Sequence, residues 1–132
     1  MRVLAIDTAT TALVTGVVDT VTGQTTGRVL EDTRPHNELL IPTITEVLAE
    51  AGMEYSDLDA VVTGVGPGPF TGLRVGMATA SALADALSIP LHGICTHDAI
   101  AAAADLHVEP AAAADEATAL VANDGRRKEI YW

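Results

Sequence analysis

Residues 2–7 open the chain as a short apolar run that ends in the carboxylate of Asp7. Residues 12–19 (Ala12, Leu13, Val14, Thr15, Gly16, Val17, Val18, Asp19) are rich in β-branched side chains. Gly23 and Gln24 mark a turn, and residues 25–32 read as a third strand. Three strands with short connections favour an antiparallel meander. The period then becomes helical. Leu40, Ile41, Ile44, Val47, Leu48 and Ala51 recur at helical spacing over 37–51, with Asn37 as the expected N-cap and Gly52 as the stop. A β-branched run at 59–65 suits a buried strand, and a Gly/Pro-rich loop follows from Gly66 to Gly72. A second helix is expected over 72–87, stopped before Pro90. Leu91 to Cys95 reads as a brief strand, and Thr96 as the cap of an Ala-rich third helix reaching about Asp105.

Beyond it, residues 107–117 are Ala, Glu, Asp and Pro with no period, as in a linker. Strands are expected at 117–122 and 128–132 around a turn at Asn123-Asp124-Gly125. The expected division is a first α/β domain over 1–106, the linker, and the first strands of a truncated second domain over 118–132. Three strands, helix, strand, helix, strand, helix is the order of the RNase H-like half of actin-like folds. The expected sheet is mixed and five-stranded, its first three strands antiparallel and the helices packed on it.

Composition narrows the function. The chain has 132 residues, of which 48% are hydrophobic and only 3% aromatic, so its core must be aliphatic. Eighteen acidic against seven basic side chains give a net charge of −11, which repels phosphate backbones and argues against direct nucleic-acid binding. One cysteine, Cys95, excludes an internal disulfide. The N-terminus meets Asp7 and threonines too early for a signal peptide, and no run approaches the ~20 apolar residues of a membrane span. The expected location is the cytoplasm, away from membranes.

Two segments carry candidate chemistry. Ile6-Asp7-Thr8-Ala9-Thr10 places a carboxylate and hydroxyls at a strand end, where they suit either a hydrated Mg²⁺ and phosphate or simple strand-end capping. Gly64-Val65-Gly66-Pro67-Gly68-Pro69-Phe70-Thr71-Gly72-Leu73-Arg74-Val75-Gly76 resembles a phosphate loop at a helix start. It lacks the Gly-Lys-Ser/Thr ending of a P-loop, and its two prolines remove N–H donors. A rigid crossover, with Gly72 and Gly76 admitting close approach, is the stronger reading. If the segments form half of a nucleotide site, its residues are Asp7, Thr8, Thr10, Gly66 and Gly68.

The histidines and acids are less specific. His92 and His97 flank Cys95 and His36 stands alone, with no cluster of ligands for a metal. No Ser/His/Asp arrangement for nucleophilic catalysis is visible, so no catalytic residue is assigned. Glu46, Glu50, Glu54, Asp57 and Asp59 read as a solvated acidic face, or as a surface for a basic partner.

The second helix is apolar nearly all round. Leu73, Met77, Ala80, Leu83, Ala84 and Leu87 make one stripe, Val75, Ala78, Thr79, Ala82 and Ala86 the other, and only Arg74 and Asp85 are charged. Such a helix needs cover on both sides. A partner face is therefore expected, formed by Val75, Ala78, Thr79, Ala82 and Ala86 with Leu40, Thr43 and Val47 of the first helix.

The two segments above, together with His36-Asn37-Glu38-Leu39-Leu40-Ile41-Pro42 and Asp124-Gly125-Arg126-Arg127-Lys128-Glu129-Ile130-Tyr131-Trp132, resemble the TsaB (YeaZ) family over nearly the whole chain. Pro69 departs from the serine usual there, and Gly125 from the alanine. The resemblance implies an actin-like (ASKHA) fold and a non-catalytic scaffold in bacterial tRNA threonylcarbamoyladenosine (t6A37) modification. The scaffold would support the transferase TsaD, joined by the ATPase TsaE. The two helices at 37–51 and 72–87 would pack on TsaD or on a second copy. It implies contact with tRNA only through the complex. No cofactor is expected for this stretch of chain; ATP or ADP with Mg²⁺ would belong to the full complex. The alternatives are an actin-like nucleotide enzyme with Asp7 on Mg²⁺ and, more distantly, a glycoprotease-like peptidase. The metal-binding His-x-x-x-His of the peptidase-labelled relatives is missing after His36.

Overall fold

The computed structural model describes residues 1–31, 36–105, 120–126 and 129–132. The strands are β1 (Arg2–Asp7), β2 (Leu13–Asp19), β3 (Thr25–Leu30), β4 (Ala60–Gly64) and β5 (Leu91–Ile94). The helices are α1 (His36–Glu50), α2 (Phe70–Leu87) and α3 (Thr96–Asp105). The sheet order is β3-β2-β1-β4-β5. β1, β2 and β3 form the antiparallel meander, while β4 pairs parallel with β1 and β5 parallel with β4. Since β3 and β1 run the same way, α1 and α2 both return antiparallel to the central strands, their N-termini at the end of the sheet that carries Asp7.

The pleat sorts the core. Leu4 and Ile6 of β1, Leu13 and Val17 of β2 and Val61 of β4 face one side and are all but inaccessible. Against them lie Leu40, Ile44, Val47 and Leu48 of α1 and Ala80 and Ala84 of α2. Each large aliphatic side chain removed from water contributes about 1.5–3 kcal/mol. Thr15, buried on this face, donates its hydroxyl to the Ala5 carbonyl at 2.9 Å, so no lone donor is stranded.

The helix ends differ in part from expectation. Gly52 closes α1 as anticipated, at φ +68. Met53 N–H reaches the Leu48 carbonyl and Gly52 N–H that of Ala49, the Schellman pattern. Asn37 is not the N-cap: the helix already includes His36 and Asn37. α2 starts at Phe70 rather than 72, behind Pro69, whose fixed φ of −58 leads into the first turn. Thr96 begins α3, but its hydroxyl donates to Asp7 instead of capping a backbone N–H. β3 ends at Leu30 rather than 32.

The acidic stretch is not simply solvated. Arg28 on β3 meets Glu50 at 3.0 Å and Glu46 at 3.7 Å, and Arg2 meets Asp57 at 2.8 Å while its backbone N–H reaches Asp59. At the β2–β3 turn, the backbone N–H of Val21, and more weakly that of Thr22, hold the Asp19 carboxyl below its ordinary value. Residues 107–117, expected as a linker, lie outside the described residues. A separate two-stranded ladder joins β6 (Asn123–Arg126) to β7 (Glu129–Tyr131). Asn123-Asp124-Gly125 are therefore strand residues rather than the turn. The register shifts between Asp124 and Arg126, leaving Gly125 as the extra residue of a bulge.

Candidate functional site

The two polar segments meet at the end of the sheet. Asp7 stands at the close of β1, and its two oxygens are both occupied. Oδ1 accepts from Ala9 N–H at 2.7 Å and Oδ2 from the Thr96 hydroxyl at 2.7 Å. The carboxylate thus shapes its own turn and ties β1 to the start of α3. The Thr10 hydroxyl accepts from Ala12 N–H at 3.1 Å. Thr8, 1% exposed, accepts from Gly76 N–H at 3.0 Å and donates to the Gly72 carbonyl at 2.7 Å. Those two backbone groups stand four apart, so the hydroxyl bridges what would be one hydrogen bond of α2.

The glycine loop closes on this turn. A Cβ at Gly64 would overlap the Asp7 carboxylate, one at Gly68 the Ala9 carbonyl, and one at Gly76 the Thr8 hydroxyl. Gly66, at φ +94, directs its carbonyl to Thr96 N–H at 2.8 Å. Asp7, Thr8, Thr10, Gly66 and Gly68 are therefore brought together, with the Asp7 carboxylate, the Thr8 and Thr10 hydroxyls and the Gly66 carbonyl each bonded within the chain. Between the loops there is no room for a phosphate beside Gly64, Gly68 or Gly76, where the chain already fills the place of a Cβ. A cavity of about 410 Å³ opens on the other sheet face, lined by Ala5, Val14, Val62, Ile94, Ile100 and Ala103 together with Asp7, Thr10 and Thr96. That lining offers no cation and little polarity to a triphosphate.

The expected partner face is corrected in part. Leu40, Thr43 and Val47 are 1%, 5% and 0% exposed. They lie on the stripe that α1 packs against the sheet and offer no surface to a partner. The described residues that α1 turns outward are Glu38, Leu39, Ile41, Pro42, Thr45, Glu46, Ala49 and Glu50. On α2, Ala78, Ala82 and Ala86 are exposed, while Val75 and Thr79 are half-buried, Val75 against the core. Gly76 rather than Met77 faces the sheet, because the Thr8 hydroxyl sits there; Met77 is exposed. At the head of the helix, Phe70 is exposed with the Arg74 guanidinium 5.0 Å from its ring centre. Sequence reading missed this pair, although the spacing of four was its signal.

His97 is buried, and its Nε2 lacks a partner among the described residues. His92 is exposed on β5. Among the described residues no three of His, Cys, Asp or Glu stand close enough to hold a metal ion. Likewise no described helix is long and apolar enough to cross a membrane.

A mixed sheet in this order, with α1 and α2 on one face, defines an α/β domain of the RNase H-like, actin-like class. Solved structures agree. YeaZ from Pseudomonas aeruginosa superposes with a TM-score of 0.74 at 30% identity, over 80% of this chain and 48% of its own. The family model described as "TsaD: tRNA N6-adenosine threonylcarbamoyltransferase" matches residues 29–132. The chain belongs to this family, in its TsaB (YeaZ) group. TsaB of Escherichia coli is 33% identical over 100% of this chain and 54% of its own length. An uncharacterized protein of Mycobacterium tuberculosis is 46% identical over 98% of this chain and 57% of its own. The chain thus spans little more than half the length of these two relatives.

Proposed function

We propose that this chain is a partner subunit in the biosynthesis of tRNA threonylcarbamoyladenosine, acting as a scaffold rather than as the catalyst. Its outer α2 face, with the outward residues of α1, docks on the TsaD-type transferase. TsaE joins that assembly, and tRNA is met only through it. The single observation that carries this reading is the contrast between the two candidate sites. The polar groups of the turn are bonded within the chain, Asp7 to Ala9 and Thr96 and Thr8 to Gly72 and Gly76, while α2 leaves Ala78, Ala82 and Ala86 open on a helix with two charges in eighteen residues. The relatives' names point the same way. They are biosynthesis proteins called TsaB and, over 46% of this chain, a transferase from Moorella thermoacetica.

Ala82→Glu places a charge on that face without touching the core. The expected outcome in titration calorimetry with the transferase of the same organism is a loss of affinity of about tenfold or more, with an unchanged thermal midpoint. Unchanged affinity sinks the docking face. Size-exclusion with light scattering reads whether a second copy uses the same face. Tight Mg-ATP binding by the chain, lost in Asp7→Ala, would replace this reading with the nucleotide-enzyme one.

A further inference from the structure

The outer stripe of α2 is not uniform. Ala78, Ala82 and Ala86 are small, whereas the two residues at its head are the kind that dominate protein interfaces. Phe70 is 71% exposed, and the Arg74 guanidinium lies 5.0 Å from its ring centre. An aromatic and an arginine held together in this way lose little side-chain freedom on docking.

Charge separates Arg74 from the other arginines whose side chains are described. Arg2 is paired with Asp57 and Asp19, and Arg28 with Glu46 and Glu50. Arg74 has no carboxylate among the described residues. The first turn of α2 holds no acid, and Asp85, the one acid of α2, stands about 16 Å along the axis. The positive end of the α2 dipole does nothing to offset a cation there. In a chain of net charge −11, this is a cation left for another molecule to pair.

We infer that Phe70 and Arg74 anchor the docking face, and that the surface they meet on the partner protein is an apolar recess with a carboxylate at its rim. The inference rests on the docking reading above and deepens it by naming the chemistry of the partner surface. Phe70 fills the recess, Arg74 pairs with the carboxylate, and the alanines further along allow the backbones to approach. The acidic surface disfavours a nucleic-acid phosphate as the group that Arg74 meets.

The test is calorimetry of the full chain against the transferase subunit of the same organism. Phe70→Ala and Arg74→Glu are each expected to weaken binding about thirtyfold. Arg74→Gln should weaken it less and flatten its salt dependence. Thermal midpoints should not move, since both side chains are exposed. If Ala82→Glu weakens binding while Phe70→Ala and Arg74→Glu stay within about twofold of the parent, the docking reading stands and this inference falls. If none of the three weakens it, or the parent does not bind, both fall. Loss of binding to a labelled tRNA anticodon stem-loop in Arg74→Glu, with transferase binding intact, overturns the inference in favour of RNA.

Discussion

Gly68 and Gly52 are the same residue type under different constraints. At Gly68 a methyl group would enter the Ala9 carbonyl, a backbone atom that cannot swing aside. Gly68→Ala is therefore expected to cost about 3 kcal/mol or more, or to leave the chain unfolded. Urea unfolding of purified variant and parent measures it. A loss below about 1 kcal/mol would show that the glycine loop does not rest on the β1–β2 turn. The sequence displayed the run of glycines, and close approach was the stronger reading of it. It did not display what approached, because Thr8 and Gly76 are partners 68 residues apart. Asp7 was legible as a chemically loaded residue, but its second oxygen is taken by Thr96, 89 residues away. Only the arrival of α3 decides whether that carboxylate is a ligand or a brace.

At the level of elements, local signals fared best where they needed no partner. Gly52 stops α1 because φ of +68 suits glycine, and nothing stands within 4 Å of the missing Cβ. Gly52→Ala should accordingly cost about 1 kcal/mol from backbone conformation alone, with Gly52→Asn milder. Thermal unfolding followed by circular dichroism reads the difference; a loss as large as that of Gly68→Ala would point to packing instead. Caps that depend on competing partners were less legible. Thr96 is a good cap by type, yet the bond its hydroxyl makes is as donor to the Asp7 carboxylate, a charge-assisted partner 89 residues away that fixes how the side chain points. The apolar period of α1 was clear, but the assignment of Leu40, Thr43 and Val47 to a partner face was not. The same stripe serves a sheet or a partner, and only the position of β2 and β3 shows that the sheet claims it.

At the scale of the molecule, the five-stranded sheet has unequal faces. One is sealed by α1 and α2. On the other, Val14, Val29 and Ile94 remain 38%, 59% and 45% exposed, and Ile100 of α3 37%. The chain as it stands should bind an apolar fluorescent dye there. Val14→Lys should reduce that fluorescence while changing stability by no more than about 1 kcal/mol; unchanged fluorescence would place the dye elsewhere. Sequence by itself determined the element order as far as Asp105, the aliphatic core, the antiparallel start of the sheet and the family resemblance, since each rests on period, composition or contiguous motif. Tertiary structure alone decided which polar groups are spent internally, which helix stripe is buried, and that Arg74 meets no carboxylate among the described residues while Arg2 and Arg28 do. Those are pairings across dozens of residues, and the energy of a charge or hydroxyl depends on the atoms within a few ångströms of it, which no local pattern records.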